Sequence, residues 1–423
     1  MSGFKRFNIS STSRVVAVSS AIAFATQVAF ALLMLRWFTP QEVGEFSVIS
    51  QIGFFWMTLA LAQAPLSLLA NHDLPAHMAA RHAWRASVLR GLGLLPMAAL
   101  AVWFSQLSLW PALLWALLLA FCQMSWMLAQ SLSLRVGSGW QQAVVRVLPP
   151  ATAATTALTA ALIGASVGWS GPTLILSALL GYAVGAAWLV PALRMRDAPQ
   201  DHTSSAPTAS ATDSAHATHA QQSDPRSATL RMAHTLVDAL LATAIIVVWQ
   251  RLYGAEETGW MSALLRVLGF LPAVVHMAWA QVALARGTRG SAAQTWANPW
   301  WLGLGAFACV IVLGLSCALA LYQEWLDPRW HGVWPYIAPL VLWQGTACLS
   351  AAFSHRPFQT QSASTYSWAC MALGVLQALV LLTPLGLAQP IGAAQHMAAF
   401  AFVSGVGLSA ITLWTAHLES RNL

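Results

Sequence analysis

A chain of 423 residues that is 58% hydrophobic and only 8% charged, with a mean hydropathy of +0.62, is not a soluble globular protein, in which about a quarter of residues carry charge. Its apolar runs reach the roughly 20 residues that cross a hydrocarbon core, so composition predicts an all-α polytopic membrane protein. The net charge of +7 then concerns membrane sidedness and anionic lipid, and does not suggest a nucleic-acid partner.

The first segment, MSGFKRFNISSTSR, is basic and enters an apolar run that continues to Leu35, long enough to cross a bilayer, which predicts a retained span rather than a signal peptide. Twelve spans are expected, at roughly 15–35, 46–70, 87–105, 107–129, 147–168, 173–193, 232–250, 260–284, 300–322, 333–353, 366–386 and 391–414. With the N-terminus cytoplasmic, the inner segments hold Lys5, Arg6, Arg14, Arg81, Arg85, Arg90, Arg135, Arg146, Arg194, Arg196, Arg226, Arg231, Arg286, Arg289, Arg356 and Arg421. The outer loops hold only Arg36, Arg251 and Arg329. That imbalance follows the positive-inside rule and places both termini in the cytoplasm.

The loop after the first span, LRWFTPQEVGEF, has a counterpart after the seventh, WQRLYGAEETGWM. Arg36, Phe38, Glu42 and Gly44 align with Arg251, Tyr253, Glu257 and Gly259 at a constant spacing of 215 (251 minus 36, and so on). Such a repeat predicts two parallel six-helix halves, over 1–196 and 230–423. Between them, 197–229 is rich in Ala, Ser, Thr, Asp, His and Pro and predicts a disordered cytoplasmic linker. The two hairpins have a structural reading and a gating one. Arg36 and Arg251 end helices, where the dipole favours a cation, while Glu42 and Glu257 open them, where it favours an anion. TPQE reads as a capping box, and Gly254 is expected to cap in the second copy. The same four charged residues could form an outer gate.

Ionisable groups inside spans are costly and mark candidate sites. Arg266, about seven residues into the eighth span, is expected either to meet an anion in a water-filled cavity or to pair with Asp238 of the seventh span. Asp238 and His234, one helical turn apart, form either an intrahelical pair or a coupling-ion site. Arg14, Arg90 and Arg146, near cytoplasmic helix ends, suit lipid phosphates or guidance of an anionic headgroup. His276 is expected to pack, and Gln27, Gln63 and Gln281 to line a cavity or bond between helices. Trp37, Trp110, Trp300 and Trp334 fit an interfacial belt, while Trp56 and Trp279 could stack on sugar. Cys122, Cys309, Cys317, Cys348 and Cys370 read as structural thiols. Phosphate loop, nucleophile elbow, metal-ligand cluster and paired inner acids are all missing, so neither enzyme nor cofactor is expected.

The stretch LLMLRWFTPQEVGEFSVISQIGFFWMTLALAQAPLSLL and its counterpart RLYGAEETGWMSALLRVLGFLPAVVHMAWAQV resemble the polysaccharide-transporter branch of the multidrug/oligosaccharidyl-lipid/polysaccharide flippase superfamily, the Wzx-type flippases. The resemblance implies an alternating-access bundle in the bacterial inner membrane. Its first, second, seventh and eighth spans would border a path for a polyprenyl-diphosphate-linked oligosaccharide. It further implies Arg266, with Arg14 or Arg90, as the cation for the diphosphate, and a role in O-antigen (lipopolysaccharide), capsule or exopolysaccharide synthesis beside a polymerase machinery. Two rivals stand: a drug or metabolite antiporter of the same superfamily, and a glycan polymerase or ligase, for which Glu324 and Asp327 would be the acids to test.

Overall fold

The computed structural model describes residues 11–62, 64–70, 74–167, 172–195, 225–276, 298–359, 362–387 and 391–418. The linker reading over 197–224 lies outside them, as do Gln63, Trp279 and Gln281; the helix that follows starts at Pro225, so the linker's last five residues are helical. Every described element is helical: α1 (Ser11–Trp37), α2 (Pro40–Leu61), α3 (Ala64–Ala70), α4 (Ala76–Gly93), α5 (Leu95–Phe104), α6 (Leu109–Val136), α7 (Gly139–Val167), α8 (Thr173–Ala187), α9 (Val190–Arg194), α10 (Pro225–Leu268), α11 (Phe270–Val274), α12 (Pro299–Tyr322), a 3-10 turn (Pro328–Val333), α13 (Trp334–Phe353), α14 (Arg356–Gln359), α15 (Ala363–Gly386) and α16 (Ala393–His417). This is an all-α, multi-pass membrane protein.

Eight of the helical segments are long and apolar enough to cross a bilayer, and α4 with α5 makes a ninth, bent by 47°. Two shorter apolar helices, Ala25–Trp37 and Thr173–Ala187, fall where the first and sixth spans were expected. One of the eight, Ala233–Val274, holds two spans. Inside α10, Gly254 takes φ +86° and ψ −179°, a combination that essentially only glycine adopts. Thr243 and Arg266 lie either side of it, and a straight helix would hold them about 34 Å apart. Yet Gln51 Nε2 donates to Thr243 Oγ1 at 3.4 Å while Arg266 Nη2 donates to the neighbouring Ser50 Oγ at 3.2 Å. Both arms therefore reach one turn of α2, and the chain folds back at Gly254. With that reversal, all twelve expected spans have a helical counterpart.

Local chemistry sets the other boundaries. Thr39 caps α2: Glu42 N donates to its Oγ1 at 3.2 Å, and its own N–H donates to Glu42 Oε2 at 2.8 Å. Pro40 occupies the first turn, where its missing N–H costs nothing. The helix stops at Ala62, whose φ of +47° breaks the second span into α2 and α3. Positive φ at Gln106 makes the tight turn between the third and fourth spans. Gly254 is the break between the two arms, at the position equivalent to the N-cap Thr39, and its carbonyl accepts the Thr258 hydroxyl at 2.7 Å.

The repeated hairpins meet each other. A Cβ at Gly44 would overlap the Ala255 carbonyl, and one at Gly259 would overlap the Pro40 carbonyl. Positions 40 and 255, like 44 and 259, differ by the repeat spacing of 215, so this crossing of α2 with the second arm of α10 is pseudo-symmetric. The backbones touch there, buried among Val43, Phe46, Met261 and Leu264. This is the hairpin end of the bundle.

Candidate functional site

Two turns beyond Gly259, the second arm of α10 carries Arg266. Its Nη2 donates to Ser47 Oγ at 3.3 Å and Ser50 Oγ at 3.2 Å, and its Cζ lies 4.7 Å from the Phe46 ring centroid. Tyr182 of α8 lies within electrostatic reach of Arg266, and its hydroxyl pairs with the Gln123 side chain of α6. Tyr182 also stacks at a tilt on Trp126, centroids 5.4 Å apart. The guanidinium of α10 is thus held by α2, with Tyr182 of α8 within reach of its charge and Gln123 of α6 bonded to Tyr182.

The electrostatics of this cluster are one-sided. Among the described residues no carboxylate lies within ion-pair distance of Arg266. Nη2 alone donates to described residues; Nε and Nη1 are not among the buried polar atoms lacking a partner, and the residue keeps part of its surface accessible. The guanidinium is thus tied at Nη2, the nitrogen that belongs to both of its two-donor edges, with Nε and Nη1 on either side of it.

Asp238 does not reach it. His234 Nε2 lies 3.3 Å from Asp238 Oδ2 within one helix, and this pair faces α15, where Tyr366 stands edge-on to His234 with centroids 6.2 Å apart. The Asp238 side chain is 63% exposed although it lies within the expected seventh span. The remaining expected headgroup cations fare differently. Arg90 turns to backbone, donating from Nε to Ala60 O at 2.8 Å and from Nη2 to Leu61 O at 3.2 Å. Arg14 lies on α1, with its side chain outside the described residues. Arg146 donates to the Gln142 carbonyl of its own helix at 3.2 Å.

The four charged hairpin residues split by role. Glu42 closes the capping box, whereas Glu257 accepts the Tyr336 hydroxyl from α13. Arg251 lies 5.8 Å from the Phe104 ring centroid, and Arg36 is exposed in the last turn of α1. Over this end lies the loop before α13. There Arg329 clasps Asp327 at 2.9 and 2.8 Å and, by these hydrogen bonds first and Arg36's charge last, holds its carboxyl down at about 2. Trp56 is buried and donates to Gly91 O at 2.7 Å, which leaves no face for sugar. His276 meets Ser354 Oγ at 3.2 Å.

Sequence reasoning found Arg266 because a charge inside a span stands out. It missed Ser47, Ser50, Tyr182 and Gln123. Only the repeat hinted at them, since Gln51 stands opposite Arg266 at the 215 spacing and so marks that turn of α2.

No family model and no curated protein matches the chain. Among solved structures, it resembles one titled lipid II flippase MurJ, inward closed conformation, with a TM-score of 0.61 at 10% identity, over 97% of this chain and 87% of that one. A second, titled an inward-facing multidrug resistance MATE family transporter of the MOP superfamily, is matched at a TM-score of 0.38 and 12% identity over 98% and 96% of the two chains. At 10% identity the first likeness shows a shared fold.

Proposed function

We propose that this protein is a flippase that carries a polyprenyl-diphosphate-linked oligosaccharide across the bacterial cytoplasmic membrane for cell-surface polysaccharide synthesis. The observation that carries this reading is Arg266: a cation set among the helices, paired with no carboxylate among the described residues, and bonded to them through Nη2 alone. A small cationic substrate would be repelled there, and a diphosphate attracted. The fold shared with a lipid II flippase supports the same class. In this reading, residues 1–196 and 230–423 are the two halves that rock against each other, and the linker end faces the cytoplasm. The prenyl tail stays in lipid while the headgroup passes.

His234 and Asp238 form the candidate coupling-ion site of this reading, supported by a carboxylate that is largely exposed within a span. Unchanged pH and sodium dependence of transport in Asp238→Asn would remove that role.

The test is the leaflet location of the lipid-linked glycan in cells, read by glycosidase access in spheroplasts. Without the protein, glycan should accumulate on the cytoplasmic face, to be released by the wild type and not by Arg266→Ala. Glycan already outside but unpolymerised would move the protein to the polymerase or ligase class. Normal glycan on both faces would point to the small-molecule antiporter.

A further inference from the structure

The two bonds that support Arg266 cross between the halves. Arg266 belongs to the second half, while Ser47 and Ser50 belong to the first. They lie one and two turns beyond Gly44, and Arg266 lies two turns beyond Gly259, so the guanidinium fastens the halves directly behind the backbone crossing. At 3.3 and 3.2 Å these are long N–H···O bonds, to neutral hydroxyls. Charge-assisted bonds from a guanidinium to an anion run about 2.7–2.9 Å and are roughly twice as strong. A bidentate anion must use Nη2 together with Nε or Nη1, so it competes with the two serines for that nitrogen, and from the stronger side.

We propose that Arg266, Ser47 and Ser50 form a clasp that holds the hairpin end closed, and that binding of a phosphate-bearing headgroup to Arg266 opens it by drawing the guanidinium off the two serines. Ser47 and Ser50 are positioning residues in this scheme. The inference rests on the flippase reading for its ligand, but the clasp is a property of the free protein. A ligand shifts a conformational equilibrium only by its differential affinity for the two states. Exchanging the weak serine bonds for strong anion bonds supplies that difference, and coupling of this kind is reciprocal. Weakening the serines should thus both open the hairpin end and tighten anion binding.

The experiment uses the purified full chain in nanodiscs, with its five cysteines replaced by alanine and a reporter cysteine at Thr258, which is fully buried at the crossing. Maleimide labelling of the reporter reads opening, and calorimetric titration with inorganic pyrophosphate reads binding. In the parent chain, labelling should be slow and rise several-fold with pyrophosphate. In Ser47→Ala/Ser50→Ala, labelling should be fast without pyrophosphate, and pyrophosphate should bind about tenfold tighter, the worth of one charge-assisted bond. Arg266→Ala should label fast and bind no pyrophosphate.

Slow labelling in the double serine variant overturns the clasp, whatever the binding result. Fast labelling there, with no pyrophosphate response in the parent, overturns release by an anion and also counts against the diphosphate site. Binding lost in Arg266→Ala but unaltered by the serine changes leaves the diphosphate site standing and overturns the competition.

Discussion

Gly44 and Gly259 are where a single methyl group decides how close the two halves come. Each Cβ would run into a carbonyl of the opposite helix, which is backbone and cannot turn aside. Gly259→Ala should therefore cost about 1–3 kcal/mol as overpacking, and Gly44→Ala the same by the pseudo-symmetry. Gly254 is sensitive for another reason: it has open space around it but a φ of +86°. Gly254→Ala should cost a similar amount through backbone strain alone. Gly305 is the control, because nothing lies within 4 Å of its Cβ position and alanine is the better helix former. Thermal melting in detergent should fall for the first three variants and hold or rise for Gly305→Ala; equal melting for Gly259→Ala and Gly305→Ala would remove the crossing as a tight contact.

Helix ends account for cations that the sequence places only by side of the membrane, and for one, Arg90, that it offers to a headgroup. Arg90 satisfies the last carbonyls of α2, where the chain breaks at Ala62, and Arg135 donates to Leu68 O at 3.0 Å and to Leu74 O at 2.6 Å around the end of α3. Both residues lie near helix ends in sequence, but whether they face lipid, ligand or a neighbouring backbone depends on which helix packs alongside. Arg90→Ala should lower the melting temperature by the equivalent of about 1–3 kcal/mol, the cost of leaving such carbonyls without donors, and leave pyrophosphate affinity unchanged. Loss of affinity with melting unchanged would return Arg90 to the headgroup path. The same division explains what was legible beforehand. Hydropathy placed all twelve spans and the repeat paired the hairpins, because both are periodic, local signals. Serine hydroxyls at 47 and 50 and the Tyr182–Gln123 pair give no such signal, since their meaning arises only when helices distant in sequence pack beside the one that carries Arg266.

The whole molecule has one electrical asymmetry, and the structure bears on how it is kept. The three arginines at the hairpin end each have local company: Arg329 holds Asp327, Arg251 lies over Phe104, and Arg36 lies within the field of Asp327. Because the Asp327 carboxyl is held at about 2, that pairing is lost only as pH falls through that value and persists throughout the physiological range. At the opposite end, Arg85 and Arg194 are exposed, and α4 carries no acid at all. Free cations belong on the cytoplasmic face, beside anionic headgroups. Single cysteines at Trp325, which is 67% exposed in the hairpin-end loop, and at Arg194, in a chain otherwise free of cysteine, should then separate cleanly. An impermeant maleimide added to spheroplasts should label Trp325→Cys at once and Arg194→Cys only after permeabilisation. The reverse order would invert the topology. The hairpin end would then be the cytoplasmic one, and a headgroup loading from inside would have to enter by the crossing rather than leave through it.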